Sequence, residues 1–495
     1  MTQLVAYTLA FLLCLAIFAK ARSHVVRQTT LLIASYVLYL SWGVWFTAVL
    51  ATSTVVNFLV GRVLRRRPSG FILFLGIAFN LALLGAFKYL PEASMHLPFS
   101  SLRSFAHVAM PLGISFWTFQ AMSYLFDLYQ GEEIDPTFGE FALYMAFFPV
   151  TISGPVCRLS EMLPQFRSEA AIRSSGVSRG FQRIATGVLM MQVAKLLGQG
   201  ILSGDGITSG FDRVTRWSGP DVWCVVFGYG LQLFLDFAGY SHIAIGAAQA
   251  LGISLPENFN RPFGSTSPSM FWTHWHMSLS FWIRDYVFFP LMQMRREMWW
   301  RNLCLVISMT LFGLWHKATL LFLIWGLYHG VLLVLHRQIE SAERKYDWNP
   351  PERLWRAASW ITTMALMNLG WVFFRAKSLG QAKLMLSAVL WPATYGVHHL
   401  SASLYLLVLS VALGYATVLA VHDLIEHRSE AMLKREPRLE SDGKPSTNSR
   451  STFGEAVVQW RWFWITPLYF VVLLFLLVVT YSQGTSTAQL MYGNF

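Results

Sequence analysis

Nine stretches of this chain are too apolar and too long for the core of a water-soluble domain. They lie near residues 4–19, 30–61, 70–88, 179–202, 220–251, 302–336, 355–375, 403–422 and 463–481. About 20 apolar residues cross the hydrocarbon layer of a bilayer. In lipid every backbone N–H and C=O must be satisfied internally, so such segments fold as helices. Several runs are long enough for two spans, and Trp42-Gly43 is placed to break the second. The expected fold is all-α and polytopic, with roughly 10–12 transmembrane helices. With 55% hydrophobic and 13% charged residues among 495, the composition excludes an ordinary soluble domain.

The net charge of +12 is read as membrane topology rather than nucleic-acid binding, because the basic residues cluster in short loops beside apolar runs. Lys20 to Arg27, Arg62 to Arg67, the stretch holding Arg158, Arg167, Arg173, Arg179 and Arg183, and the group Arg295, Arg296 and Arg301 are expected in the cytoplasm. This places the N-terminus outside. The first apolar run has its charges after it, at Lys20 and Arg22, which fits a retained span better than a cleaved signal. The polar stretch 424–460 is expected to be a cytoplasmic loop, partly disordered, with a last span leaving Tyr481 to Phe495 outside. Cys14, Cys157, Cys224 and Cys304 are scattered in apolar surroundings and are expected to be buried thiols.

Two segments are too broken for ordinary spans. Phe147-Phe-Pro-Val-Thr-Ile-Ser-Gly-Pro155 carries two prolines and a glycine, and Pro111 to Gln120 is short and aromatic. Irregular backbone at membrane depth is tolerated where protein or a watery cavity satisfies it. Re-entrant or interfacial helices around a cavity account for both; a proline-kinked span is the alternative.

Two histidines stand out. His316 ends Leu311-Phe-Gly-Leu-Trp315-His316, and His276 sits in Phe271-Trp-Thr-His-Trp-His276-Met-Ser-Leu-Ser280. Titratable groups kept in membrane-class sequence face cavities, proton paths or reaction sites, and imidazole transfers protons near neutral pH. Between them and upstream lies a block dense in polar residues: Asp236, Tyr240, His242, Asn258, Arg261, Arg284 and Asp285, the last two placed for a local ion pair. His274 and His276 could hold a metal on a strand, but a helix splays them apart; no metal site is expected. His329 follows His316 by thirteen residues. On one straight helix that is about 20 Å along the axis and on opposite faces, so the two cooperate only across a break or hairpin.

The ordered series of motifs resembles the membrane-bound O-acyltransferase (MBOAT) superfamily, in the branch of the bacterial alginate O-acetylation proteins. The matching pieces are Asp236-Phe-Ala-Gly-Tyr240, Pro256-Glu-Asn258-Phe-Asn260, Phe271 to Tyr286, Ser115 to Gly131, Phe148 to Arg158, Phe312 to His316, Leu327 to Gly330 and Trp371 to Ala376. The chain departs from the family pattern at His242, where an aspartate is usual, at Lys317, where glycine is common, at Gln293-Met-Arg-Arg, and at Thr273-His274. The resemblance implies helices around a central tunnel, with His316 as the catalytic base near its constriction and His276 as a second functional histidine that lines the donor route or tunes proton transfer. Asp236, Tyr240, Asn258, Arg284, Asp285, Trp315 and His329 are expected to bind substrate or support the histidines. Asp236 is open between pairing with Arg261 or Arg284 and orienting a histidine.

The resemblance further implies an acyl donor, acetyl-CoA or another cytoplasmic thioester, and no tightly bound cofactor. The acyl group would pass across the inner membrane of a bacterium toward an exopolysaccharide or cell-wall glycan, with an extracytoplasmic SGNH-hydrolase-type partner completing the transfer. Peptidoglycan O-acetylation or D-alanyl transfer to teichoic acid share the implied fold and histidines. A transporter is the rival of a different class; it predicts internal repeats, and none is visible. Residues 1–110 are expected as N-terminal helices, 111–376 as the catalytic core, and 377–495 as C-terminal helices with the polar loop.

Overall fold

The computed structural model describes residues 2–433 except 22, 92–93, 95–108, 171–172, 202–204, 214 and 347–349. The described residues are helical, joined by turns and one isolated antiparallel bridge. The helices are α1 Thr2–Lys20, α2 His24–Leu40, α3 Val44–Arg66, α4 Gly70–Tyr89, α5 Ile114–Tyr129, α6 Phe138–Ala146, α7 Leu159–Phe166, α8 Ser174–Gln199, α9 Ile207–Arg213 and α10 Gly219–Ala250. There follow α11 Pro268–His274, α12 Met277–Ile283, a π turn Arg284–Phe288, α13 Phe289–Gln293, α14 Met298–His316, α15 Leu320–Tyr346, α16 Glu352–Arg375, α17 Leu379–Leu390 and α18 Ala402–Leu433. Among the described residues six helices are long and apolar enough to cross a membrane: α3, α4, α10, α15, α16 and the part of α18 up to Val421. The chain is thus an all-α integral membrane protein. Large apolar side chains such as Leu13, Ile33, Leu59 and Phe74 point outward from α1 to α4, as a lipid-facing surface requires.

The apolar runs break where the sequence supplies a breaker. Run 30–61 divides between Leu40 and Val44, with Gly43 at φ +150°. Run 302–336 divides at Lys317 to Thr319, making α14 and α15 a hairpin. Within Pro111–Gln120 a longer helix begins: α5 starts at Ile114 and continues to Tyr129, buried everywhere except Phe126 and Tyr129. Residues 147–158 are irregular and almost wholly buried. Their backbone is partly satisfied by side chains, with Ser35 Oγ accepting from Phe148 N at 3.1 Å and Ser278 Oγ from Val156 N at 3.0 Å. The polar stretch expected as a loop from 424 begins instead as helix, because Leu424 to Leu433 is rich in helix formers. Residues 434–495, with the rest of that loop and the expected last span, lie outside the described residues. The four cysteines are free and buried.

Two compact units are present. The first holds residues 2–187 and 237–382. In it α5 packs on α3 and α4, and α15 packs on α14 and α16. Asn57 of α3 and Asn80 of α4 exchange amide hydrogen bonds at 3.1 and 2.7 Å, both fully buried, a polar tie suited to helices in lipid. The second unit holds residues 188–236 and 383–433. Its centre is Asp221, in the first turn of α10, which accepts from Ser218 Oγ at 2.6 Å, Tyr405 Oη at 2.7 Å and the backbone N–H of His399 and Leu400 at 3.1 Å.

The hairpin α14–α15 is the tightest seam. Gly326 and Gly330 stand four apart on one face of α15, the spacing that lets helix backbones approach closely. A Cβ at Gly326 would meet the Met309 carbonyl oxygen at 2.5 Å, and one at Gly313 the Phe322 carbonyl at 2.3 Å. Backbone, unlike a side-chain tip, cannot swing aside. Gly326→Leu is therefore expected to destabilise the protein by about 1–3 kcal/mol or more, the usual cost of overpacking, seen as a lower thermal unfolding midpoint in detergent.

At the N-terminus of α6, Thr137 and Glu140 form a capping box, and Glu140 also takes two hydrogen bonds from Arg167, at 2.7 and 2.8 Å. The Arg167 hydrogen bonds hold the Glu140 carboxyl down at about 2, against an ordinary 4.5. A depressed carboxyl stabilises the fold above its unfolded value and loses that contribution as pH falls through the folded one. Wild type should therefore exceed Glu140→Gln in stability by a constant margin above about pH 5. The margin should close as the pH approaches about 2, measured by unfolding at a series of pH values.

Candidate active site

His316 is the last residue of α14, 5% exposed, and its ring is enclosed by aromatic side chains from three helices. Phe312, one turn earlier, stacks on it at 5.2 Å between centroids, and Trp315 lies at 4.6 Å. From α15 come Phe322 at 6.1 Å and Trp325 at 5.7 Å, and from α16 Phe374 at 5.0 Å. The sequence produces this cage through the hairpin: Lys317 to Thr319 turn the chain back, so Phe322 and Trp325 of the next helix face the ring they follow.

The same hairpin resolves the spacing of His329. It is 1% exposed and touches Trp325 at 4.8 Å and Trp272 at 5.1 Å, so Trp325 contacts both His316 and His329. Among the described residues neither ring nitrogen of His329 has a hydrogen-bond partner. Gly370 of α16 lies hard against it, where a Cβ would come within 2.4 Å of Nε2.

His276 is 1% exposed and is held by a different device. Residues 256–260 run beside 274–277, with an antiparallel bridge at Phe259 and Trp275. Asn260 N donates to the His274 carbonyl at 3.0 Å and Met277 N to the Asn258 carbonyl at 2.8 Å. This turns His276 into the N-cap of α12 with φ +43°. Asn258, fully buried, ties the loop together: its Oδ1 accepts from Ser278 Oγ at 2.5 Å and lies 3.4 Å from His276 Nδ1, while its Nδ2 donates to Ser241 Oγ at 3.0 Å. A His276 tautomer donating from Nδ1 leaves Nε2 as the basic nitrogen. The His276 ring packs edge-on against Phe237 of α10 at 4.6 Å and lies within electrostatic range of His316. Trp275, Trp371 and Phe374 form a continuous aromatic wall from the 275–276 loop to His316, with successive contacts of 5.2 and 5.5 Å.

The remaining expected residues fall in two groups. Asp285 pairs with its neighbour Arg284 at 2.7 Å, as the sequence suggested, and also with Arg158 from the irregular segment. Next to it, Tyr286 donates to Asp127 of α5 at 2.7 Å under the Arg158 guanidinium, 5.2 Å from the ring centroid. This Arg158–Asp285 and Tyr286–Asp127 network joins α5, residues 155–158 and the π turn, and its Asp127 and Arg158 members were not expected. Tyr240 is half-buried on α10, and Asp236 is buried on the same helix in the second unit. Arg284 goes to Asp285. His274 turns its Nδ1 to the Met270 carbonyl at 2.6 Å.

A sequence profile of the MBOAT, membrane-bound O-acyltransferase family, matches residues 98–375. The peptidoglycan O-acetyltransferase of Helicobacter pylori is 32% identical over 77% of this chain and 77% of its own. The probable alginate O-acetylase of Pseudomonas aeruginosa is 33% identical over 76% of this chain and 72% of its own. The teichoic acid D-alanyltransferase of Bacillus subtilis is 30% identical, over 58% of this chain and 73% of its own.

Asn258→Ala would strip the hydroxyls of Ser241 and Ser278 of a buried partner and free the loop that carries His276. The expected cost is about 1–3 kcal/mol, read as a lowered unfolding midpoint, with a fall in acyl transfer that restoring protein quantity does not correct.

Proposed function

Because the chain belongs to the membrane-bound O-acyltransferase family, we propose that it transfers an acyl group, acetyl foremost, from a cytoplasmic thioester to a hydroxyl on the outer side of the membrane, with His316 as general base. The acceptor is a polysaccharide or cell-wall glycan, reached directly or through an extracytoplasmic SGNH-type partner. The protein is an O-acyltransferase by family, and residues 111–376 are taken as its catalytic portion. The relatives named as O-acetyltransferases cover more of this chain than the D-alanyltransferase does, which favours acetyl over D-alanyl.

The observation that carries the assignment to His316 is its placement: one imidazole at a helix end, inside an aromatic cage, with a second imidazole in electrostatic range. A hydroxyl attacking a thioester needs a base at its proton. The neutral imidazole takes that proton and returns it to the departing thiolate. The aromatic walls exclude water, which would otherwise hydrolyse the thioester.

The direction of transfer follows from charge. Arg295, Arg296 and Arg301 flank the start of α14, and positive residues stay in the cytoplasm. His316 is at the other end of this 19-residue helix, roughly 27 Å away at 1.5 Å per residue. The base thus sits toward the outer face, where an extracytoplasmic hydroxyl arrives, and the thioester reaches it from inside. The same rule supports an N-terminus on the outer side, and the bacterial relatives support a place in the inner membrane of a bacterium.

The test is turnover of radiolabelled acetyl-CoA by purified protein in nanodiscs, wild type beside His316→Ala. Loss of a general base lowers the rate by about 100- to 10,000-fold, with His316→Ala unfolding at the wild-type temperature. Equal rates in the two proteins would remove His316 from the chemistry.

A further inference from the structure

α4 is among the most apolar of the described helices, yet it carries a lysine in its last turn. That turn, Gly85–Tyr89, is a π turn, a feature frequent at functional sites because the extra residue re-aims its side chains. Lys88 points its ammonium at the face of Trp315, 4.7 Å from the ring centroid. The neighbouring Tyr89 donates to the carbonyl oxygens of Leu314 and Trp315, at 3.3 and 3.2 Å, so the end of α4 is fastened to the end of α14. The ring that receives the ammonium is itself 4.6 Å from His316, and the Lys88 charge is within electrostatic range of that imidazole.

Among the described residues the Lys88 ammonium has no hydrogen bond and no carboxylate partner. It is half-buried. An ammonium half-buried among aromatic side chains, with no counter-charge among the described residues, carries a desolvation cost, and the Trp315 face only partly offsets that. The ammonium lies over Trp315, whose ring borders His316, rather than in the Asp127–Tyr286 and Arg158–Asp285 network. α4 also begins just after Arg65, Arg66 and Arg67, so Lys88 and His316 both lie at the ends of their helices remote from the basic loops.

We propose that Lys88 is a catalytic residue: its ammonium faces the acyl carbonyl oxygen at His316 and stabilises the negative charge that forms there. The inference rests on the acyltransferase reading above. The acceptor oxygen forms a bond to the carbonyl carbon while its proton passes to His316. The carbonyl π pair moves onto oxygen, opposite Lys88. When the pair returns, the carbon–sulfur bond breaks, and the thiolate leaves with the proton from the imidazolium. A fixed cation beside the oxyanion acts strongly because the surroundings are apolar.

Lys88→Met, Lys88→Arg and His316→Ala are assayed for acetyl transfer together with wild type, with thermal unfolding measured for each. Lys88→Met is expected to lower kcat about 100-fold, as for loss of one oxyanion donor, with KM for the donor changed little. Lys88→Arg keeps the charge and the contact with Trp315 but sets its N–H groups in a planar fork. It should unfold with the wild type and turn over about tenfold more slowly. A purely structural lysine predicts full kcat in Lys88→Arg, and that result overturns the proposal even if Lys88→Met does not fold. A folded Lys88→Met with unchanged kcat, or with only KM raised, overturns it as well. If His316→Ala is inactive in either of those cases, the acyltransferase reading stands and Lys88 alone fails. If His316→Ala retains turnover, the base assignment fails independently.

Discussion

Where Gly313 of α14 meets Gly326 of α15, and Gly330 meets the backbone of Val306, two helix backbones come into direct contact, and most of the histidine geometry follows from that contact. In lipid there is no hydrophobic gain from bringing two apolar helices together, so close packing and satisfied polar groups must supply the association. The hairpin sets how far Trp325 lies from the His316 ring, and Trp325 in turn separates His316 from His329. The third helix's contribution to the cage, Phe374, arrives on α16, which packs against α15 and is drawn in at Gly370 beside His329.

The second histidine is reached by opposite means. His276 belongs to a short irregular passage whose polar backbone is satisfied piece by piece: a bridge at Phe259 and Trp275, Asn258 on Ser241 and Ser278, and Ser278 again on the backbone of Val156. Irregular backbone of this kind persists in apolar surroundings when it is enclosed in protein that satisfies its polar groups. One imidazole is thus set by helix packing and the other by a hydrogen-bonded loop, and the aromatic wall of Trp275, Trp371 and Phe374 links the two.

Much of this was legible in the residues. The apolar runs named the fold class, and the breaks at Trp42-Gly43 and within 302–336 fell where glycine or polar residues interrupt them. The motifs singled out His276, Asn258, Trp315, His316 and His329, which the structure gathers in the first unit. What could not be read is whatever depends on helices distant in sequence. Nothing near Lys88 in the sequence marks it except a charge at the end of an apolar run, where a lysine is ordinary. Asp127 and Arg158 gain meaning only from Tyr286 and Asp285, more than a hundred residues on. The length of α5 and the helical start of the 424–433 stretch follow helix propensity, which aromatic density in the one and charge in the other obscure in the sequence.

His276 and Arg261 are the two non-glycine residues with positive φ among those described, at +43° and +51°. A left-handed conformation costs an L-residue with a Cβ about 1–2 kcal/mol, and glycine or asparagine is the natural occupant. The chain keeps an imidazole where its own backbone favours a smaller residue. Fold and imidazole are therefore in tension at this position: the backbone of His276 carries a local strain that the surrounding bridge and the Asn258 hydrogen bonds must hold in place.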